Sequence, residues 1–548
     1  MEIDLLIDNA NVVTVDRARP RASAIAINGG RILAIGDAAD LSGVRTRRRL
    51  DLSGATVVPA FNDAHNHMRS YGEALDQVPL ASPPVRCIED ILDALARRAR
   101  ELPSGAWLIG QGYDQNKLRE GRHPTRQELD RAAPDHLVLL KHTSGHFCVV
   151  NTRAMRAARI GEVEVPEGGV VAVDDSGAPN GLLEERAMGL VRRLLRPLPV
   201  AEMARQIGLA SQRYLAEGVA SCQEAGIGCV MGEGNPLELA AYQRARRDGN
   251  LGVRVTLMVG VENLHPVAHH ADDPDGDTLD LGLHTGFGDD WLRIGPIKIF
   301  ADGSLIGRTA AMSADFEGEQ GNRGYLLMEE AELRRRVLRA HRAGWQIATH
   351  AIGDRAVSAV LDAYAAALAE VPRADHRHRI EHCGVCRDED VARIAALGVV
   401  PVPQARFISE IGDGMRAALG ERRTGWCYRQ RSFLDAGIRL PGSSDRPVVR
   451  GSPLLGIHDL VNQRTGRGEP FNPHEALTAE QALRAYTLGS AEAAFDEAVK
   501  GSIAPGKLAD LTILDQDITT MDPQGIAETR VLATVVDGRV AHDAVGLV

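Results

Sequence analysis

Six side chains in this sequence combine the types and the spacing that metal chemistry needs. His65 and His67 sit one residue apart in Asp63-Ala64-His65-Asn66-His67, just after the apolar run Ala55-Thr56-Val57-Val58. Side chains on a strand alternate faces, so the two imidazoles point the same way and can chelate one ion. Alone, such a pair is a weak signal. Four more candidates stand at or near the ends of later apolar runs: Lys298 in Ile297-Lys298-Ile299-Phe300, His350 after Ala348-Thr349, His382 after Ile380-Glu381, and Asp445 after Ser443-Ser444. Neutral imidazole and carboxylate are the ligands that zinc, iron, manganese and cobalt accept. Their recurrence at one end of successive strands makes the set far more specific than the first pair.

The elements that must carry these residues read as a β-then-α alternation. Strands are expected near Ala55–Ala60, Val219–Gln223, Val253–Val259, Arg293–Phe300, Gln346–His350, Arg379–His382, Val399–Pro403 and Gly437–Leu440. Between them, Leu333, Val337 and Leu338 share a helical face that stops at Gly344, and Val391, Ile394 and Ala395 share one that stops at Gly398. Eight β/α units predict a closed α/β TIM barrel, with a doubly wound sheet as the alternative. The N-terminal stretch holds short strands around the turn Asn28-Gly29-Gly30, and the C-terminus mirrors it around Asp537-Gly538. Together these ends predict a composite β-sandwich from residues 1–54 and 446–548, mainly 500–548, around a barrel at 55–445 whose helices continue to about 499. Residues 70–199 exceed one barrel helix. With the stripe Ile88, Ile91, Leu92, Leu95, Ala99 and strands near Trp107 and Leu137, they form an α/β insertion between barrel strands one and two.

Composition narrows the partners. The net charge is -11, and Lys and Arg are scattered, which argues against nucleic acid or an anionic membrane surface and for a small-molecule substrate. No run approaches membrane-span length, and the first thirty residues lack a signal peptide's basic start and apolar core. The seven cysteines are odd in number and dispersed, as in a reduced cytoplasmic protein. Cys383-Gly384-Val385-Cys386 has knuckle spacing but no second pair, and reads as structural. A homo-oligomer is left open.

Asp63-Ala64-His65-Asn66-His67, Lys298-Ile299-Phe300-Ala301-Asp302-Gly303-Ser304, His350-Ala351-Ile352-Gly353-Asp354, Glu381-His382, Gly442-Ser443-Ser444-Asp445 and the segment from Gly501 to Asp510 resemble the amidohydrolase superfamily, in its YtcJ-like branch. The resemblance covers nearly the whole chain. It implies a (β/α)8 barrel with a composite β-sandwich and a hydrolytic centre of one or two divalent ions, zinc or another transition metal. In that frame His65, His67 and Asp445 hold one ion and His350 and His382 a second. Lys298, as in relatives with this ligand set, carries a carbamate that bridges them. A lysine paired with a buried acid is the plain alternative for Lys298.

The implied reaction is metal-dependent hydrolysis of a non-peptide carbon–nitrogen bond in an N-acyl or N-formyl amide. Asp445 is the expected proton shuttle, and His382 or a neighbour steadies the oxyanion. Inside the insertion, His146, His142, Tyr113 and Asp114 are the candidate substrate-binding residues. A deaminase, or a hydrolase of cyclic amides, carbamates or esters, is the enzyme alternative. A non-catalytic scaffold is the alternative outside enzymes, since one barrel supports many chemistries.

Overall fold

The computed structural model describes residues 2–142, 146–229, 234–272 and 275–547. The chain folds as two units, Met1–Tyr71 with Ile207–Val548, and Gly72–Gln206.

In the first unit, seven parallel strands follow one another in chain order: Phe61–Asn66, Val219–Ile227, Arg254–Gly260, Leu292–Phe300, Ile347–Ala351, Arg379–His382 and Val400–Val402. Most are buried along their whole length, as parallel strands covered on both faces must be. The eighth place is taken by an irregular segment. Ser443 bridges in parallel to Gln404 on one side, and Gly442 O accepts from Ala64 N at 2.9 Å on the other, so the sheet closes on itself as a TIM barrel. The helices expected between strands are present. Glu330–Arg342 buries Leu333 and Val337, and Asp388–Leu397 buries Val391 and Ile394 before Gly398 ends it in the left-handed region.

Two expected strands change place. The run Ala55–Ala60 is not the first barrel strand: Thr56–Pro59 pairs with Leu511–Leu514 and Asn11–Val13, and Phe61–Asn66 is the strand that opens the barrel. The apolar run continues unbroken through Pro59, so periodicity alone could not show that one stretch serves two sheets. Gly437–Leu440 forms no strand. The closing residues lie just beyond it at 442–445. There Pro441 offers no N–H, and Gly442 packs so close to the Tyr486 ring that a Cβ would lie 2.5 Å from it.

The two termini meet in paired sheets. One has the order Arg31–Gly36, Ala24–Asn28, Glu2–Asp8, Arg45–Asp51; the other runs Arg539–Asp543, Val531–Val536, Leu511–Leu514, Thr56–Pro59, Asn11–Val13, Arg21–Ala22. Ile7, Ile25, Ile27, Val57, Ile513 and Val535 share one core between them, which makes the composite β-sandwich. The second unit is an α/β insertion. It carries its own six-stranded sheet, including Trp107–Tyr113 and Leu137–His142, against which the helix Ile88–Ala99 buries Ile88, Ile91, Leu92 and Leu95. Among the described residues no helix is long and apolar enough to cross a membrane.

Candidate metal centre

The carboxyl ends of the barrel strands bring His65, His67 and Asp445 together, with one potential ligand atom from each within 4.8 Å of the others. Asp445 Oδ1 lies 3.3 Å from His65 Nε2 and 3.2 Å from His67 Nε2. His382 stands beside them, its ring centroid 5.0 Å from that of His65, and His350 is 4.4 Å from His382. His67 is the last residue before the helix Met68–Asp76, so strand end and helix start fix the pair between them.

Each ring is held by a second group that decides which nitrogen stays bare. His65 Nδ1 donates to Glu381 Oε2, and Arg379 grips the same carboxylate at 2.7 and 3.0 Å. His65 Nε2 is then left with its lone pair toward a carboxylate oxygen, buried and without a hydrogen bond. Two electron-rich atoms 3.3 Å apart in a buried site call for a cation between them, so the donor set fits a divalent ion. His382 Nδ1 donates to Gln404 Oε1 at 2.6 Å, while the Gln404 amide nitrogen donates to Val402 O at 2.8 Å, which orients the amide. His382 Nε2 is therefore the bare nitrogen. His350 Nε2 donates to Gly303 O at 3.0 Å, leaving Nδ1 bare. Burial, reinforced by the neighbouring Lys298 charge, pushes the His350 imidazole down to about 3, and burial with the nearby His350 ring holds His382 well below its ordinary range. Both are neutral at physiological pH, the form a metal requires.

The acids behave oppositely. Burial would raise the Asp445 carboxyl, but the imidazoles of His65 and His67 beside it hold it well below the usual range. Burial would likewise lower His67, yet Asp445 and Glu224 raise it to about 9. Glu224 is itself fixed by the Tyr242 hydroxyl at 2.5 Å and by Arg69 N at 3.2 Å.

Lys298 is almost wholly buried on the fourth strand, its Nζ 4.9 Å from the Phe300 ring centroid. Among the described residues it makes no ion pair and no hydrogen bond. Burial keeps its amine below the ordinary lysine range, although Glu381 and Asp445 pull the other way. Beside the centre, His67, Glu224, Ala225, Cys229 and Phe300 help to line a cavity of ≈ 200 Å³.

Two strand ends are turned out of regular geometry. His382 and Asp445 have φ of 70° and 58°, a region that non-glycine residues occupy at a cost of about 1–3 kcal/mol each. The turn at His382 matters for chemistry. Strict alternation would send Glu381 and His382 to opposite faces, and the left-handed residue lets both address His65. The oxyanion role expected of His382 meets an obstacle here, because its one N–H is engaged by Gln404.

The four candidate substrate residues belong to the insertion. Tyr113 is buried, with its hydroxyl 2.9 Å from His123 Nδ1, and its ring packs edge-on against His142 at 5.1 Å. His142 Nε2 lies 3.9 Å from Asp114, whose carboxylate also accepts from Asn116 N. His146 is exposed and pairs with Glu185 at 2.9 Å. Sequence reasoning missed Glu381, Arg379, Gln404 and Glu224 as supports of the ligands. One signal was available: Arg379 and Glu381, two charges with strand spacing inside an otherwise buried barrel strand.

The amidohydrolase family profile matches residues 48–542. The chain belongs to the amidohydrolase family. Among its relatives, this amidohydrolase is 32% identical over 551 residues to an N-substituted formamide deformylase of Arthrobacter pascens, covering 99% of each chain. It is 29% identical to Bacillus subtilis YtcJ, a protein bearing an amidohydrolase name, over 90% of each. A solved structure of a metal-dependent hydrolase from Pyrococcus horikoshii OT3, 28% identical, superposes with a TM-score of 0.75 over 95% of this chain and 99% of that one. The protein is thus an amidohydrolase enzyme of a metal-dependent family.

Proposed function

We propose that this amidohydrolase cleaves the carbon–nitrogen bond of an N-acyl or N-formyl amide of small size, releasing a carboxylic acid and an amine. The observation that carries the reading is the buried, unbonded His65 Nε2 facing Asp445 beside His67, a cation-binding trio at the mouth of a barrel. The 32% identity to an N-substituted formamide deformylase directs the choice of amide.

In this reading His65, His67 and Asp445 would hold one zinc or similar ion, His350 and His382 would hold a second, and Lys298 would carry a carbamate that supplies a further carboxylate ligand. A buried lysine with a depressed pKa and no acid paired to it supports the modification, which needs the neutral amine. Bound ions supply a water of lowered pKa and polarise the amide carbonyl. Asp445, held ionised, accepts the proton of the attacking water and passes it to the departing nitrogen, which leaves as a neutral amine. Glu381 and Gln404 keep His65 and His382 in the tautomers that face the reaction. His382 serves as a ligand, its proton committed to Gln404. The seven free thiols accord with a cytoplasmic setting, and the substrate is a small molecule.

The test is metal content per chain of protein purified without chelator, alongside hydrolysis of a panel of N-formyl and N-acyl amines. About two equivalents of metal and chelator-sensitive turnover are expected for the bridged centre. One equivalent removes the Lys298 bridge. Ammonia release from amino-substituted rings, with no amide turnover, would replace this reading by a deaminase.

A further inference from the structure

The barrel has a seam. Where its first strand meets the closing segment 442–445 there is no regular ladder; Ala64 N donates to Gly442 O at 2.9 Å, and Ser444 N and Asp445 N donate to His65 O at 3.3 and 2.7 Å. Asp63 spans this gap with its side chain. Its Oδ1 accepts from Ser444 N at 3.0 Å and from His65 N at 3.3 Å, and its Oδ2 accepts from the Ser444 hydroxyl. That hydroxyl accepts in turn from Arg446 N at 3.2 Å, and Arg446 O accepts from His67 N at 2.8 Å. Asp63, Ser444 and Arg446 are all fully buried. The Arg446 guanidinium lies 3.6 Å from Asp63 Oδ2, packs 4.1 Å from the Tyr214 ring and pairs with Glu217 at 2.6 Å.

A buried carboxylate is costly unless its hydrogen bonds are satisfied, and this one spends its bonds on the residues flanking the ligands. Asp445 needs such support: at φ 58° its backbone relaxes away unless its neighbours over-determine it. Ser444, one residue before Asp445, is held by backbone and hydroxyl at once. We propose that Asp63 is a positioning residue, whose carboxylate acts through Ser444 to set Asp445 Oδ1 against His65 and His67. This rests on the amidohydrolase reading of Asp445 as ligand and proton shuttle. Asp63 touches neither metal nor substrate; it joins, across the seam, two ligand segments about 380 positions apart in sequence.

Asp63→Asn and Ser444→Ala, alone and combined in the full chain, test the proposal. The readouts are Zn²⁺ affinity by competition with a chromogenic chelator, kcat and KM on an N-formyl amine, and near-UV circular dichroism for the fold. Asp63→Asn should weaken Zn²⁺ binding by about 10–100-fold, as loss of an outer partner does, and lower kcat more than it raises KM. The double variant should lose less than the product of the two single losses, because both changes remove the shared Asp63–Ser444 hydrogen bond. Zn²⁺ affinity and kcat within about twofold of wild type, or losses that multiply in the double variant, would overturn it. If Asp63→Asn does not fold, Ser444→Ala decides, with unchanged affinity and turnover again counting against the proposal. Wild-type protein that binds Zn²⁺ but cleaves no amide would sink the hydrolase reading while the affinities still judge Asp63. Wild-type protein that binds no Zn²⁺ would overturn both.

Discussion

Replacing Glu381 by Gln probes whether the centre depends on a carboxylate behind His65. In the wild type this buried carboxylate accepts a hydrogen bond from His65 Nδ1 and neutralises Arg379, which also donates to Gln223 and to Ala64 O. A hydrogen bond to a charged acceptor contributes about 1.5–3 kcal/mol net, and one to a neutral amide about 0.5–1.5, so the change costs His65 roughly 1–1.5 kcal/mol of ordering and basicity. That corresponds to about tenfold in metal affinity, the lower end of what outer partners of zinc ligands contribute. A second cost falls on the fold. Arg379 loses its counter-charge in the barrel interior, where breaking a buried pair costs about 3–5 kcal/mol; the bonds to Gln223 and Ala64 remain, which places the loss near 3. Zn²⁺ competition on folded protein reads the first effect, and urea denaturation of the metal-free chain reads the second. A variant with wild-type Zn²⁺ affinity and an unshifted urea midpoint would refute the argument that Glu381 orients His65.

Three further outcomes are expected. Asp445→Asn should keep the fold while kcat falls by about 10²–10⁴, the usual contribution of a proton-transfer group, as measured on zinc-loaded protein with the best amide of the panel. Lys298→Ala should bind one fewer metal equivalent, and intact-mass measurement of the wild type near neutral pH should find an added carbon dioxide that the variant lacks; equal metal content in both would remove the bridge. Stability should also fall in mild acid through a buried histidine network away from the centre. His378 Nδ1 accepts from Ile347 N, its Nε2 faces His341 Nδ1 at 2.9 Å, and His341 and His376 donate to the carbonyls of Val371 and Leu397. Burial lowers all three pKa values in the folded state, so the unfolded chain binds protons first: this stability is complete above about pH 6.5 and is lost as pH falls toward the folded values. A thermal midpoint that is flat between pH 7.5 and 5.5 would contradict this.

Chain order alone carried the barrel, because a parallel sheet covered on both faces needs largely apolar runs, and those runs are visible at Arg254–Gly260 and Leu292–Phe300. The hairpin turns at Asn28-Gly29-Gly30 and Asp537-Gly538 were equally legible, since Gly29, Gly30, Asp537 and Gly538 all adopt the positive φ that their residue types permit. Legibility failed where one apolar run served two sheets, at Thr56–Asn66, and where the barrel closed without a regular strand. Both depend on partners hundreds of residues away.

The candidate centre divides along the same line. Residue type and strand-end spacing singled out His65, His67, Lys298, His350, His382 and Asp445, because imidazole and carboxylate at successive strand ends of a barrel converge on one face. Which nitrogen of each ring stays bare was not written in that spacing. Glu381, Gln404 and the carbonyl of Gly303 decide it, from strands and loops that meet only in the folded barrel. Nor was it written in that spacing that His382 and Asp445 take left-handed backbone at their strand ends. Local sequence determines which side chains can do chemistry. Only tertiary packing, by holding strained backbone in place and supplying distant hydrogen-bond partners, decides where their lone pairs point.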